Sequence, residues 1–263
     1  MTERYTHGHD DAVLRSHGWR TAENSARYLL DVLAPGASVL DVGCGPGTIT
    51  ADLARAVGDG QVLGLDRSAE VVARAAATHG ATNLRFDVGD AYELDHPNDA
   101  FDVVHAHQVL QHLGDPVRAL TELRRVCRPG GLVAVRDADF SAMSWWPDVP
   151  GLQEWREVYL QVARANGGEP DAGRHLLGWA EDAGLRQLRW SASTWCFTSE
   201  EDRGWWSRTW ADRITGTDLA DQAIELGVTD RELLERCGDA WTRWASQPEA
   251  CFVVPHGEVT GRA

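Results

Sequence analysis

The sequence predicts an α/β fold, a doubly wound and mostly parallel seven-stranded sheet with a helical cap. Three observations predict it. The apolar run 38–42 ends in a glycine turn, and apolar residues then recur at helical spacing from Thr48 to Val57. Short apolar strands alternate with helical patterns as far as Asp139. After Asp139 this alternation breaks, and tryptophan-rich helical patterns follow.

The chain divides into three predicted parts. Residues 1–9, with His7 and His9, are expected to be a loose arm, and helices over about 10–33 complete an N-terminal helical lid, 1–35. A core follows at 36–139. The last part, 140–263, is expected to complete the sheet and to carry two helical cap insertions, at about 140–172 and 199–247.

The order of strands predicts parallel pairing with right-handed crossovers. After the first strand, further strands are predicted at 60–66, 84–90, 101–107 and 132–137. The second and third of the five end in Asp66 and Asp90. Two later strands, at 185–197 and from 250 to 254 with a possible extension to 259, are expected to close the sheet, the last of them antiparallel.

Composition excludes several classes of protein. The formal net charge of −15 gives no general attraction to nucleic acid, and no apolar run reaches membrane-span length. All 25 basic residues are arginine, which excludes lysine Schiff-base chemistry. The five cysteines contain no C-x-x-C pair, so we expect reduced thiols in a cytoplasmic protein.

The spacing of the glycines excludes two nucleotide classes. Gly43, Gly45 and Gly47 alternate, whereas a dinucleotide fingerprint reads G-x-G-x-x-G. With Pro46 in the turn, fewer backbone N–H groups converge on the helix start than a pyrophosphate requires. The chain also contains no G-x-x-x-x-G-K-[ST] segment, so a P-loop is excluded.

The eight residues L-D-V-G-C-G-P-G, 40–47, resemble motif I of the class I S-adenosylmethionine-dependent methyltransferases. The strand 101–104 and the turn 128–131 are similar to those of the branch that acts in ubiquinone and menaquinone biosynthesis. The resemblance covers about 36–139. It implies a Rossmann-like methyltransferase fold, S-adenosylmethionine as cofactor and S-adenosylhomocysteine as product.

The same resemblance implies where the cofactor lies, at the carboxyl ends of the strands. The glycine turn is expected under its methionine part, Asp66 on the ribose hydroxyls, Arg67 against the adenine and Asp90 on the adenine amino group. Asp41 is expected either to orient the turn or to meet the cofactor's ammonium through water. The full set of expected cofactor residues is Asp41, Gly43, Cys44, Gly45, Thr48, Asp66, Arg67, Gly89, Asp90, Ala91, His107 and Gln108.

Two histidines are candidate catalytic residues. His107 ends the fourth strand and His112 follows it, and a neutral imidazole is a suitable base near neutral pH. Both could equally be structural, because positioning alone can supply most of the rate of methyl transfer. A metal site is disfavoured, since the spacing of potential ligands matches no standard motif.

The sequence therefore predicts a methyltransferase acting on a small, apolar or aromatic metabolite, as a monomer or homodimer. The tryptophans of the last part would form a water-excluding lid or the core of the cap. The acceptor atom stays open among oxygen, nitrogen and carbon. The alternative is a protein that binds S-adenosylmethionine for regulation or sensing without turnover. Arsenite methylation is disfavoured because the cysteines are scattered.

Overall fold

The structure, a computed structural model, describes residues 19–216 and 218–263. The predicted arm, including His7 and His9, and the first half of the predicted N-terminal helices lie outside these residues. The described part opens with two short helices, α1 (Ala22–Ser25) and α2 (Arg27–Leu30). Thr21 caps α1, because its hydroxyl accepts a hydrogen bond from the Asn24 N–H.

Five parallel strands form the first part of the sheet, in the spatial order β3-β2-β1-β4-β5. Residues on β1, β4 and β5 are aligned in register, with Asp41 beside His105 and His105 beside Ala134. This order reverses direction between β1 and β4, which creates the crevice where such sheets bind ligands. The strands are β1 (Val39–Val42), β2 (Val62–Asp66), β3 (Leu84–Val88), β4 (Phe101–His107) and β5 (Cys127–Ala138).

Three further strands complete an eight-stranded sheet in the described residues. β8 (Cys251–Arg262) is antiparallel to both β5 and β7 (Arg186–Phe197). β6 (Ser144–Trp146) was not predicted. It pairs with the first residues of β8, on the same edge of β8 as β5, while β7 pairs with the other edge. The last strand is longer than predicted because it continues without a break to residue 262.

Helices cover both faces of the sheet. On one face, α1, α2 and α3 (Thr48–Val57) bury apolar residues against β1, β4 and β5. On the other face, α5 (Pro116–Val126) and α7 (Ala172–Asp182) do the same. Helix α5 begins where Asp115 caps the Arg118 N–H and Pro116 occupies the first helical position. Helix α4 (Ala69–Thr78) packs beside β2 and β3.

The cap is built from four helices that pack around tryptophan side chains. Trp155, Trp210, Trp241 and Trp244 are each at most 1% exposed. They form one apolar cluster with the last residues of β7 and the first residues of β8. Their rings meet edge to face, as in the pair Trp155 and Trp241, whose planes differ by 85°. The helices are α6 (Leu152–Ala165), α8 (Glu200–Gly216), α9 (Asp218–Glu225) and α10 (Arg231–Ala245).

The predicted fold class is confirmed: the sheet is mostly parallel and doubly wound, and it carries helices inserted after β5 and after β7. The difference in strand number comes from the three-residue β6. Within residues 19–216 and 218–263, no helix is both long and apolar enough to cross a membrane.

Candidate functional site

The glycine turn between β1 and α3 needs all three of its glycines. Gly43, Gly45 and Gly47 have φ angles of +71°, +54° and +79°, a region that residues with a Cβ atom adopt at a cost. A Cβ on Gly43 would lie 2.3 Å from Val109 Cγ2, and one on Gly47 would lie 2.7 Å from the Phe86 ring. A Cβ on Gly45 would meet nothing within 4 Å. Gly45 therefore presents open backbone to a ligand, while the other two pack tightly.

We expect Gly43→Ala to lower the free energy of unfolding by about 2–4 kcal/mol, because it combines a left-handed backbone with overpacking against Val109. Gly45→Ala is the matched control and should lower it by only about 1–2 kcal/mol, the backbone part alone. Urea denaturation of the ligand-free proteins measures both values. Val109→Ala in the Gly43→Ala background should recover part of the loss. Equal losses at the two glycines would contradict the proposed packing.

Asp66, at the end of β2, is joined directly to the glycine turn. Its Oδ2 accepts a hydrogen bond from the Gly45 N–H at 3.1 Å, and its Oδ1 accepts one from the Ser68 N–H at 3.0 Å. The Asp66 carbonyl accepts the Gly89 N–H at 3.0 Å. Each carboxylate oxygen keeps a further lone pair for a ligand. The structure thus brings together three of the expected cofactor residues.

Asp90, Ala91 and Arg67 lie at the outer side of this crevice. Asp90 is exposed, and its Oδ1 accepts the Tyr92 N–H at 2.9 Å, which closes a short turn after β3. Its other carboxylate oxygen faces solvent-accessible space and could accept a ligand N–H. Arg67 is exposed directly after β2 and acts electrostatically on His112.

Asp41 lies beneath the glycine turn, where both of its carboxylate oxygens have partners. It is 3% exposed, its Oδ2 accepts the Thr50 hydroxyl at 2.6 Å, and its Oδ1 lies 2.7 Å from His105 Nδ1. Both oxygens therefore bind groups inside the protein, which fixes α3 to β4 beneath the turn. This position favours orientation of the turn over contact with a ligand's ammonium.

Cys44 and Thr48 flank the turn without titratable chemistry of their own. Cys44 is buried against β2, and burial raises the pKa of its thiol well above the usual value. The thiol thus stays protonated and packs as a small apolar side chain. Thr48 is the first residue of α3, where the backbone N–H groups have no partner within the helix. That end of the helix is suited to bind a carboxylate.

His107, a candidate base, is 5% exposed, and neither ring nitrogen has a hydrogen-bond partner among the described residues. Its ring lies 5.7 Å from that of Trp195 and 6.2 Å from that of His256. Burial, then the charges of Arg136 and Arg20, lower the pKa of His107 well below the usual value. The imidazole is therefore neutral at neutral pH, and one of its ring nitrogens has a lone pair to offer.

Gln108 connects the end of β4 to β8 in a strained conformation. Its φ is +53°, uncommon for a residue with a side chain. Its N–H donates to the Arg136 carbonyl at 2.7 Å, and its Nε2 lies 2.8 Å from His256 Nε2. Since His256 Nδ1 is 3.0 Å from the Val254 carbonyl, we assign the proton of His256 to Nδ1. Gln108 then donates its amide hydrogen to His256 Nε2.

His112 is less suited to be a base than His107. It lies in a short 3₁₀ turn, Leu110–His112, and its Nε2 is 3.1 Å from Gln111 Nε2, which occupies the lone pair of that nitrogen. Burial, followed by the charges of Arg20, Arg213 and Arg67, lowers the pKa of His112 to about 3. The pKa of His107 is lowered in the same direction, so what separates the two histidines is the hydrogen bond that His112 Nε2 already makes.

Two acids lie at the carboxyl end of β5, and only one of them has a carboxylate oxygen without a partner among the described residues. Asp139 binds Arg174 through both oxygens, at 2.5 and 2.7 Å, and caps the turn Phe140–Ala142, so its role is structural. Asp137 is completely buried; its Oδ1 accepts the Gln111 N–H at 3.1 Å, and its Oδ2 has no partner among the described residues. Burial raises the pKa of Asp137 to about 7.

The sequence reasoning missed a group of side chains around Arg136 and His107. They come from the N-terminal segment, β5, β7 and β8, and they are Arg20, Tyr28, Arg136, Trp195, His256 and Glu258. One signal was available in the sequence, because Arg136 is a charged residue inside an otherwise apolar predicted strand. The others are brought in by long-range packing.

A cavity of about 330 Å³ opens beside these side chains, between α1 and β7. Its lining includes Trp19, Asn24, Ser193, Trp195 and Glu258. Trp195 closes one wall, since its indole N–H donates to the Asn24 carbonyl at 2.8 Å. The ring of Trp19 packs edge-on against that of Trp195, with their centroids 5.3 Å apart.

Comparison with known proteins gives three findings. A family described as Methyltransferase domain matches residues 33–184. An uncharacterised methyltransferase of Schizosaccharomyces pombe is 36% identical over 270 residues, covering 97% of this chain and 95% of the relative. A trans-aconitate 2-methyltransferase of Deinococcus radiodurans is 40% identical over 160 residues, covering 60% of this chain and 56% of the relative.

Solved structures share the fold. Phosphoethanolamine N-methyltransferase 2 of Haemonchus contortus, in complex with phosphomonomethylethanolamine and S-adenosylhomocysteine, superposes with a TM-score of 0.55 at 16% identity. The match covers 90% of this chain and 51% of that one. At such low identity the likeness concerns the arrangement of strands and helices alone.

Proposed function

The chain belongs to the class I S-adenosylmethionine-dependent methyltransferases, and on this premise we propose that it methylates a small metabolite with an apolar or aromatic body. Its cofactor is S-adenosylmethionine and the cofactor product is S-adenosylhomocysteine. One observation supports this placement of the cofactor. Asp66 accepts hydrogen bonds from the N–H groups of both Gly45 and Gly89 at one crevice, and the backbone of Gly45 is open there.

We assign the cofactor's parts to residues of this crevice. Asp66 would accept hydrogen bonds from the ribose hydroxyls, and the backbone N–H groups of Gly45 and Ser68 already orient its carboxylate for them. Asp90 would accept the adenine amino hydrogen, with Arg67 beside the ring. The start of α3, at Thr48, would receive the methionine carboxylate.

His107 and Gln108 would border the reacting centre, because they leave β4 at the reversal of strand order. When bound, S-adenosylmethionine supplies an electrophilic methyl group on a sulfonium. The chain's residues would hold the acceptor in line with it and exclude water. Neutral His107 would accept the proton of an oxygen or nitrogen acceptor; His112, whose Nε2 lone pair is already used, would act at most in positioning.

The rings near the N-terminal segment favour an acceptor with an apolar or aromatic body. Trp19 lies within 5.4 Å of the rings of Trp195, Phe197 and Trp205, which together form one ring cluster beside the cavity. Stacking on such rings suits a planar molecule. By contrast, Trp145 stacks on Phe252 in the cap core, 5.5 Å away, and Trp206 stacks on Phe197 at 4.2 Å.

The second candidate function, binding of S-adenosylmethionine for sensing without turnover, uses the same crevice. It differs only in needing no acceptor site. The buried, unpartnered nitrogens of His107 favour turnover, because a sensor has no use for a desolvated base beside the sulfonium. Release of S-adenosylhomocysteine in the presence of any acceptor distinguishes the two.

Asp66→Ala tests the proposed cofactor site. We expect the Kd values of S-adenosylmethionine and S-adenosylhomocysteine to rise about 10- to 150-fold, since the ribose loses charge-assisted hydrogen bonds worth about 1.5–3 kcal/mol. Isothermal titration calorimetry measures both. The control is Asp87→Ala, which removes an exposed acid from the neighbouring β3 and so the same net charge. An unchanged Kd in Asp66→Ala, or equal losses in both variants, would contradict this role for Asp66.

A further inference from the structure

The guanidinium of Arg136 is fully buried yet only partly paired. The residue is 0% exposed; its Nε donates to Glu258 Oε1 at 3.2 Å and to Ser193 Oγ at 3.1 Å. Both terminal nitrogens, Nη1 and Nη2, have no hydrogen-bond partner among the described residues. Burial lowers the pKa of Arg136 to about 10, so it is charged at neutral pH. Four N–H donors of a buried cation are thus left without an acceptor.

Glu258 cannot supply the missing acceptor. Its Oε2 accepts the Ser191 hydroxyl at 2.8 Å, and its Oε1 accepts both the Ser193 hydroxyl, at 2.5 Å, and Arg136 Nε. The register of β5 and β8 places Glu258 directly beside Arg136. Its carboxylate therefore binds the Nε side of the guanidinium, and the two Nη groups keep their donors for another acceptor.

Other unpartnered polar atoms surround the Nη side. The Tyr28 hydroxyl is buried without a hydrogen-bond partner among the described residues, and it acts electrostatically on Arg136. Both ring nitrogens of His107 are likewise buried without a hydrogen-bond partner among the described residues. The register of β4 and β5 places His107 beside Arg136. The guanidinium lies 5.1 Å from the Trp195 ring, on the sheet side of the cavity described above.

Two arginines act on this region, in a chain with net charge −15. Arg20 lies 5.5 Å from the Trp195 ring, and with Arg136 it lowers the pKa of both His107 and His256. Glu258 and Asp137 act electrostatically on both Arg136 and Tyr28, so the region carries charges of both signs. Within this region, the two guanidinium groups are the parts that attract an anion.

We propose that the acceptor carries a carboxylate, which Arg136 binds through Nη1 and Nη2 with the Tyr28 hydroxyl as a further donor. This proposal rests on the proposed function, because it names the substrate class of that same site. Two parallel N–H groups of arginine match the two oxygens of a carboxylate. Arg20 adds a second cation at the rim, and the acceptor's apolar body lies against Trp195 and Trp19. The cavity that reaches Ser193 and Glu258 gives the route of entry.

The test compares acids with their neutral amides on the protein loaded with S-adenosylhomocysteine. The probes are benzoate, trans-cinnamate and hexanoate, each against its primary amide, with binding measured by calorimetry. At least one acid should bind about 10- to 150-fold more tightly than its amide, and Arg136→Met should bring that preference to near unity. Arg136→Lys keeps the charge without the planar fork and should recover part of it.

Two further variants keep the test decisive. Arg136→Met leaves Glu258 without its cation and could prevent folding, so the double variant Arg136→Met/Glu258→Gln is made in parallel. Arg20→Gln leaves that pair intact and should lower the acid preference about two- to fivefold. The control is Arg236→Gln, an exposed arginine of α10 paired with Glu232, which should change nothing.

The outcomes separate this proposal from the proposed function. If S-adenosylhomocysteine binds and acids show no preference over amides, or the preference survives Arg136→Met, the carboxylate site is wrong and the orphan donors hold only water. The same conclusion follows if no acid binds. If neither S-adenosylhomocysteine nor S-adenosylmethionine binds the parent protein, the proposed cofactor site itself fails.

Discussion

Replacing His107 with alanine is expected to lower kcat by about 10²–10⁴-fold, the usual contribution of a positioned base. Cofactor affinity should change little, because the residues assigned to the ribose and adenine lie on β2 and β3. The reason for the large effect is the environment of the ring: it is buried, neutral and without a hydrogen-bond partner among the described residues, at the end of β4. Steady-state kinetics measure kcat, and calorimetry measures cofactor binding.

The pH dependence of the parent gives this prediction a second readout. Because burial and two arginines lower the pKa of His107, its basic form persists as pH falls through the ordinary histidine range. The rate should therefore stay level down to about pH 6.5, the usual histidine pKa, and fall only below it. His107→Ala should remove that acid limb. The arginines that lower this pKa, Arg20 and Arg136, are remote from His107 in sequence.

His107→Gln tests the competing explanation, which is that positioning of the acceptor suffices without a base. His107→Gln keeps a polar side chain of similar size but cannot take a proton, so it should be as slow as His107→Ala. If it is as fast as the parent, positioning suffices and His107 is no base. His175→Ala is the control, since it removes an exposed histidine of α7. A loss of stability in His107→Ala without a loss of rate would make His107 a structural residue.

Trp155→Ala is expected to lower the free energy of unfolding by about 3–5 kcal/mol, the usual loss for removing a large buried aromatic side chain. Trp155 is 0% exposed, and its ring meets those of Trp210 and Trp241 at centroid distances of 4.6 and 4.8 Å. Alanine would leave a cavity where the cap helices α6, α8 and α10 converge. Urea denaturation followed by circular dichroism measures the change.

The control for this prediction is Trp146→Ala. Trp146 has the same side chain but is 60% exposed, so its removal should cost less than about 1 kcal/mol. Cofactor affinity should be unchanged in both variants, since the cap does not form the crevice. If Trp155→Ala left stability unchanged but altered acceptor use, the tryptophans would serve as a lid and the cap core described here would be wrong.

The sequence predicted those parts of the site that local signals determine. Alternate glycines after a buried strand required the turn, and a strand ending in Asp66 placed a carboxylate beside it. The structure joins the two through the Gly45 N–H. The alternation of strands and helices also determined the parallel order of the sheet, because crossovers have one hand.

The remainder depends on packing between distant segments. Arg20, Arg136, Trp195 and Glu258 belong to four different elements, and only the completed sheet with its N-terminal segment brings them to His107. Likewise, composition could not distinguish lid from core for the tryptophans, since an indole ring suits either place. Asp41 remained ambiguous in the sequence for the same reason: its partners, Thr50 and His105, are set by helix and strand packing.

The most direct test of the cofactor site is a crystal structure of the complex with S-adenosylhomocysteine. We predict the ribose hydroxyls on the Asp66 carboxylate, the adenine amino group on Asp90, the amino-acid part over Gly45 and the sulfur beside His107 and Gln108. An adenosyl group bound elsewhere, or one that leaves Asp66 without a ligand contact and the sulfur remote from the end of β4, would contradict the assignment.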